Sequence, residues 1–283
     1  MRSDEPHQAV PPALRMLAIA VAGCALASVA PAQDATLLVT VLDERTGEAV
    51  AGLPAERFSV FDGDIQLRVV SVAEPRGPLD LLMLVDTSMV GEAVRPIAEA
   101  LIEELGENEA MAIVAFDEGA ELLQDFTSEK PYLRKALDRG RYGNLPRVHD
   151  GLYAAIDGGF EASGNRKAVV LLSAGAVARG RTSEAEVLEI ARAKRATVYS
   201  VFARNDDRTL LRRLALKTGG ASFSARRLKL RPRELAGRVM EAVRSPYELG
   251  VTGVLAFGDR VSAKVSSLPA GKERLTASAL PVE

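Results

Sequence analysis

The sequence predicts an α/β protein: a doubly wound, mostly parallel sheet with helices on both faces, joined to a small β module made by the strands that flank it. Three observations predict this. Between Leu79 and Val243, short apolar runs alternate with segments of helical period. Two of those runs, "LDLLMLVD" and "KAVVLLSAG", are apolar almost without alternation, as strands buried on both faces are. Outside that block both flanks alternate as half-buried strands do.

Taken in order, "TLLVTVLD" places Leu37, Val39 and Val41 on one face, and "RFSVFDGDIQLRVVSVAE" reads as two strands around an Asp62-Gly63 turn. The polar, turn-rich stretch "DERTGEAVAGLPAERF" joins them, and "EPRGP" (Glu74–Pro78) then breaks both helix and ladder. Strand "LDLLMLVD" leads into helix "VRPIAEALIEEL", whose Ile97, Leu101 and Leu105 share a face. "AMAIVAFD" and "AELLQDF" are separated only by Glu118-Gly119, which makes a hairpin and puts one antiparallel strand in the sheet. "PYLRKAL" is a short helix opened by Pro131, and "HDGLYAAIDGGF" is another, with Asp150 as its N-cap or first-turn acid. Strand "KAVVLLSAG", helix "SEAEVLEIARAKR", strand "ATVYSVFA", helix "TLLRRLALKTGG", strand "ASFSA" and helix "PRELAGRVMEAVR" follow, and right-handed crossovers wind them into one sheet. After Ser245-Pro246 the chain returns to β in "YELGVTGVLAF", "RVSAKVSSL" and "RLTASALPV". The two flanks are expected to pair into a small sandwich with the α/β block inserted in it. The expected divisions are a leader over 1–32, an N-terminal β module over 33–76, the α/β domain over 77–245 and the returning strands over 246–283.

Composition narrows the function. The 283 residues are 47% hydrophobic and 26% charged, an ordinary globular balance. A formal charge of −2, no tryptophan and 5% aromatics give no case for nucleic acid. A single cysteine, Cys24, and two histidines, His7 and His149, exclude a Cys/His zinc site and a disulfide framework. Ser173 lacks a Gly-x-Ser-x-Gly setting and a partner histidine, so no triad is expected and the chain is read as non-catalytic. The acidic stretch Glu99–Glu109 and the basic Arg212-Arg213 and Arg226–Arg233 read as solvated helix faces or, alternatively, as a dipolar surface.

The first 32 residues read as a targeting segment. Arg15 precedes "MLAIAVAGCALASVA", and Ala30 and Ala32 occupy the small-residue positions of a cleavage site after Ala32. "VAGC" (Val21–Cys24) resembles a lipobox, which would place a lipid anchor on Cys24, and an uncleaved anchor is the third reading. The first two send the protein out of the cytoplasm, to the periplasm, the medium or the envelope.

The ordered phrases "LLMLVDTSMV", "AMAIVAFDEGAELLQDFT", "VHDGLYAAIDG", "KAVVLLSAG", "ATVYSVFA" and "LRRLALKTGGASF" resemble a von Willebrand factor A domain, a Rossmann-like fold. The preceding "LDERTGEAVAGLPAERFSVFDGD" is similar to the leader of the VWFA-related proteins of acidobacteria. The resemblance spans roughly residues 36–250 and implies a protein-binding role with an unidentified protein partner. It also implies a metal-ion-dependent adhesion site: Asp-x-Ser-x-Ser after the first strand, a threonine before a mid-domain helix, and an aspartate after the fourth strand. Such a site holds a hard cation with oxygens and leaves a position for a partner's carboxylate.

Here Asp86 and Ser88 match, but Val90 replaces the second serine, Pro146 stands where the threonine belongs, and Ala174 replaces the aspartate in "LLSAG". Each change removes an oxygen, so the expectation is a degenerate site with no metal and no other cofactor. Asp86 and Ser88 are then expected to cap the next helix and bind loop N–H groups. The alternative is a Mg²⁺-dependent adhesion module with a rearranged site in which Asp117 or Asp150 compensates.

Overall fold

The computed structural model describes residues 35–75, 77–160, 164–203, 210–252, 261–265 and 275–282. The leader, with Cys24 and the bond after Ala32, lies outside them. Among the described residues no helix is long and apolar enough to cross a membrane.

The N-terminal flank supplies β1 (Ala35–Asp43), β2 (Phe58–Asp62) and β3 (Ile65–Ala73). The central unit then runs β4 (Leu79–Asp86), α1 (Arg95–Glu103), β5 (Glu109–Phe116), β6 (Ala120–Thr127), α2 (Lys130–Leu137), α3 (Val148–Gly159) and β7 (Arg166–Ser173). It continues through α4 (Glu184–Ala193), β8 (Ala196–Phe202), α5 (Leu210–Lys217), β9 (Ser222–Ser224), α6 (Ala225–Leu228) and α7 (Pro232–Arg244). The returning strands are β10 (Tyr247–Thr252), β11 (Val261–Val265) and β12 (Leu275–Val282).

The central sheet has the order β6-β5-β4-β7-β8-β9. Only β6 is antiparallel, paired with β5 through the hairpin at Glu118-Gly119. All eight residues of β4 are buried, because helices cover both faces. Leu81, Met83 and Val85 pack into the cluster that holds Ile97 and Leu101 of α1 and Val239 and Met240 of α7. Leu82 and Leu84 pack on the other side with Leu152 and Ile156 of α3 and Leu188 of α4. Ser183 starts α4 with a reciprocal cap: its Oγ accepts the Glu186 N–H at 3.3 Å, and the Glu186 carboxylate accepts the Ser183 N–H at 2.7 Å.

The flanking strands form one continuous antiparallel sheet, β11-β2-β3-β10-β1-β12, rather than a sandwich. Returning strand β10 lies between β3 and β1, with Leu249 opposite Val72 on one side and Leu37 on the other. Leu37, Val39 and Val41 cover its apolar face together with Leu53, Phe58 and Val60, so "GLPAERFSV" contributes core and not only turn. Tyr247 anchors this core: its ring meets Phe58 edge-on at 5.0 Å, its hydroxyl donates to the Val50 carbonyl at 2.6 Å, and it accepts the Leu53 N–H at 3.1 Å.

The second face of β1 is buried too. Leu42 belongs to the core of the central unit. The Thr40 hydroxyl reaches the Gly219 carbonyl at 2.7 Å and the hydroxyl of fully buried Tyr199 at 3.1 Å. Charged residues in and near those stretches are stapled across elements: Arg212 to Glu44 at 2.8 Å, Arg238 to Glu48 at 2.5 Å, and Arg244 to Glu109 at 2.7 Å. The first two tie α5 and α7 to the turn after β1. Half-exposed pairs of this kind contribute about 0–1 kcal/mol each; they fix orientation more than stability.

Candidate functional site

In an open α/β sheet the crevice for a ligand lies at the carboxyl ends of the strands where the winding reverses. Here the chain goes from β4 outward to β5 on one side and from β7 outward to β8 on the other, so the crevice lies between the ends of β4 and β7. Asp86 closes β4 and Ala174 follows β7 directly.

The crevice is stitched shut at that point. Asp86 has no exposed surface, and both its oxygens are engaged by backbone amides. Oδ1 accepts the Ser88 N–H at 3.0 Å and Oδ2 accepts the Ala174 N–H at 3.0 Å, across the reversal. The chain then turns tightly, with the Gly91 N–H donating to the Ser88 carbonyl at 2.8 Å. A Cβ on Gly91 would lie 2.2 Å from the Asp86 carbonyl oxygen, so only glycine fits this approach.

The structure brings Asp86, Ser88 and Ala174 together. Val90 sits at the start of a 3-10 turn, Gly91–Val94, and is 38% exposed. Pro146 is buried, and its carbonyl accepts the Ala178 N–H at 2.8 Å, tying its loop to the one after β7. Asp86 thus binds loop amides as expected, but neither it nor Ser88 caps a helix. The caps of the 3-10 turn and of α1 are Val90 and Val94, without a side-chain bond. That turn carries no signal of its own, because "GEAV" continues the helical pattern of α1.

Ser88 is the odd member. Its hydroxyl is buried, with no hydrogen-bond partner among the described residues. A buried polar group without a partner destabilises the fold by about 1–3 kcal/mol. Ser88→Ala is therefore expected to leave stability unchanged or raise it by up to about 1 kcal/mol, read as the midpoint of urea unfolding. A clear loss would mean that the hydroxyl has a partner.

The two acids that could compensate are also committed. Asp117 accepts the Asn144 side-chain amide at 2.8 Å and the Gly119 N–H at 3.0 Å. Asp150 lies in the first turn of α3, as the sequence indicated, but Arg147 is the N-cap. The Asp150 carboxylate instead holds the loop after β7, accepting the Thr182 N–H at 2.7 Å and the Arg181 N–H at 2.9 Å. Burial pushes its pKa up, and these amides outweigh that and hold it below the usual carboxylate value. Nothing near Asp150 in sequence signals this, since its partners lie more than thirty residues on. Among the described residues no group of three His, Cys, Asp or Glu side chains is placed to hold a metal ion. Ser173 is fully buried, and its hydroxyl accepts the Gly175 N–H at 3.0 Å.

The fold has counterparts among solved structures. Proximal thread matrix protein 1 from the mussel byssus, in a structure with a zinc-occupied MIDAS motif, superposes with a TM-score of 0.50 at 15% identity, covering 65% of this chain and 50% of that one. The chain thus spans about half the length of the byssus protein it matches. An aerotolerance-related membrane protein from Bacteroides fragilis gives a TM-score of 0.46 at 13% identity, covering 59% of this chain and 98% of that chain. The vWF domain of the type V pili tip protein Mfa5 from Porphyromonas gingivalis gives 0.43 at 12% identity, covering 59% and 94%. No curated protein sequence matches the chain. The model of the von Willebrand factor type A domain matches residues 80–231, more than half of the sequence and the whole run from β4 to the start of α7, and the chain belongs to that family.

Proposed function

We propose that the chain is an exported, non-catalytic protein-binding scaffold whose A domain works without a metal ion. One observation carries the reading: both oxygens of Asp86 are committed to backbone amides, while Val90, Pro146 and Ala174 bring no side-chain oxygen to the site. A hard cation that dehydrates reluctantly needs several oxygens in compensation, and this donor set does not fit one. The non-catalytic part rests on the bonded, buried hydroxyl of Ser173, which also lacks a Gly-x-Ser-x-Gly setting.

Divalent metal tests the reading. A site filled at a hundred times its Kd would add about 2.7 kcal/mol to the stability of the native state. Heat scans with millimolar Mg²⁺ or Mn²⁺ and with EDTA are expected to coincide, and calorimetry to show no stoichiometric binding. A metal-dependent rise in Tm would favour the Mg²⁺-dependent adhesion module instead.

Export rests on the leader sequence. The intact mass of the mature protein is expected to place its N-terminus at Gln33. A diacylglyceryl mass on Cys24 would replace simple cleavage by an envelope lipoprotein, and an unprocessed chain would remove the export reading.

A further inference from the structure

The loops around Asp86 bury Thr87 and Ser88 and leave large apolar residues exposed. Met89 is 69% exposed, Leu145 49%, Val90 38% and Tyr142 37%. They belong to two loops, one after β4 and one before α3, held together by the Met89 N–H on the Asn144 carbonyl at 3.2 Å and the Gly143 N–H on the Thr87 carbonyl at 2.9 Å. Single exposed apolar residues need no explanation, but four large ones on two bonded loops form a patch of the kind that marks an interaction surface.

The charge beside this patch differs from flank to flank: exposed Glu92 lies on the Val90–Tyr142 side, and the Leu145 side is basic. The loop after β7 runs along the Leu145–Arg147 segment through the Ala178–Pro146 bond and carries Arg179 and Arg181, both exposed. Neither makes an ion pair with a described residue. The carboxylate bonded to this loop, Asp150, is engaged by the amides of Arg181 and Thr182. The loop lies so close that a Cβ on Gly180 would be 2.5 Å from both Asp150 oxygens, which holds it against α3 with the two guanidinium groups left to solvent. On the Tyr142 side a cleft of about 330 Å³ holds Arg141 with Asp117 and Glu121, so the unpaired positive charge lies on the Leu145 side alone.

We propose that this face is a metal-independent docking surface for a protein segment that presents a bulky apolar side chain with a carboxylate beside it. The apolar group covers Met89, Val90, Tyr142 and Leu145, and the carboxylate meets Arg179 and Arg181. The proposal rests on the protein-binding reading above. A guanidinium fork matches a carboxylate bidentately, and an apolar anchor ringed by polar contacts is how interfaces concentrate their affinity.

The test is a random peptide library displayed on phage, panned against the immobilised full chain in EDTA. Enriched sequences are expected to combine aromatic or aliphatic residues with Asp or Glu. As synthetic peptides they should bind at least tenfold more weakly to a Met89→Ser/Leu145→Ser variant. They should also bind more weakly to Arg179→Ser/Arg181→Ser, with salt weakening binding only where the arginines are present. All four residues are exposed, so unchanged melting of both variants controls for folding. Enrichment of basic or purely polar peptides, or equal binding to both variants, would overturn the proposal while leaving a binding role elsewhere on the chain intact. Self-association abolished by Met89→Ser/Leu145→Ser would put a second copy on this face instead. Peptides that need Mg²⁺ would overturn both this proposal and the metal-free reading.

Discussion

Replacing Asp86 by alanine is expected to destabilise the central unit by about 3 kcal/mol. Two buried amides, of Ser88 and Ala174, would lose their acceptor at once, and each unsatisfied buried donor costs about 1–3 kcal/mol. Relief from holding a buried carboxylate offsets part of this. A loss of that size lowers Tm by roughly 6–12 °C in a domain of this length. Asp86→Asn keeps the outline and one acceptor but aims an NH₂ at one of the two amides, so about half the loss should remain. The midpoint of urea unfolding should fall with an unchanged slope. In a metal-free protein the same loss appears in Mg²⁺ and in EDTA. A loss confined to Mg²⁺ would mean that Asp86 acts through a cation. In the reading argued here, Asp86 joins the ends of β4 and β7 itself: a carboxylate with two amides holds the reversal of the sheet closed.

Much of the fold was legible because it depends on local chemistry. The unalternating run at Leu79–Asp86 could only be a strand covered on both faces, and it is. Ser183 with Glu186 three residues on marks a helix start through contacts within one turn. The Glu118-Gly119 break marked the single antiparallel strand of the central sheet. What could not be read depends on groups far apart in sequence. Thr40 looks like an outward polar residue of an alternating strand, yet its hydroxyl meets Gly219 and Tyr199, more than 150 residues away. Asp150 looks like a helix-start acid, and its helix position is right, but its carboxylate serves another loop. At the site, the missing oxygens of Val90, Pro146 and Ala174 were plain from residue types. That Asp86 fills both its oxygens with amides, and that Met89 and Leu145 face outward, required the loops in place.

Removing the chain from Tyr247 onward is expected to have the largest effect of any change considered. Strand β10 is the shared partner of β3 and β1, so its loss divides the flanking sheet and exposes two open edges. Strand β12, the other partner of β1, goes with it, and β1 is left without a paired neighbour strand. What remains of that module is a β2–β3 hairpin, marginal by itself in water, stripped of the Tyr247 ring and of the hydroxyl that holds Val50 and Leu53. Limited proteolysis should cut between Ala35 and Ala73 at protease levels that leave the full chain intact. The damage should reach the central unit as well. Leu42 fills part of its core, and Thr40 satisfies the buried Tyr199 hydroxyl. If β1 detaches, that hydroxyl keeps only its 3.3 Å bond to the Ala242 carbonyl, and a leucine-sized gap opens beside α7. Losing a buried leucine side chain costs about 2–5 kcal/mol. The truncated protein should therefore melt well below the full chain, in one transition and not two. Two separate transitions, with the upper one unmoved, would show that the flanking sheet and the A domain fold independently and that the burial of Thr40 and Leu42 contributes nothing to the domain they touch.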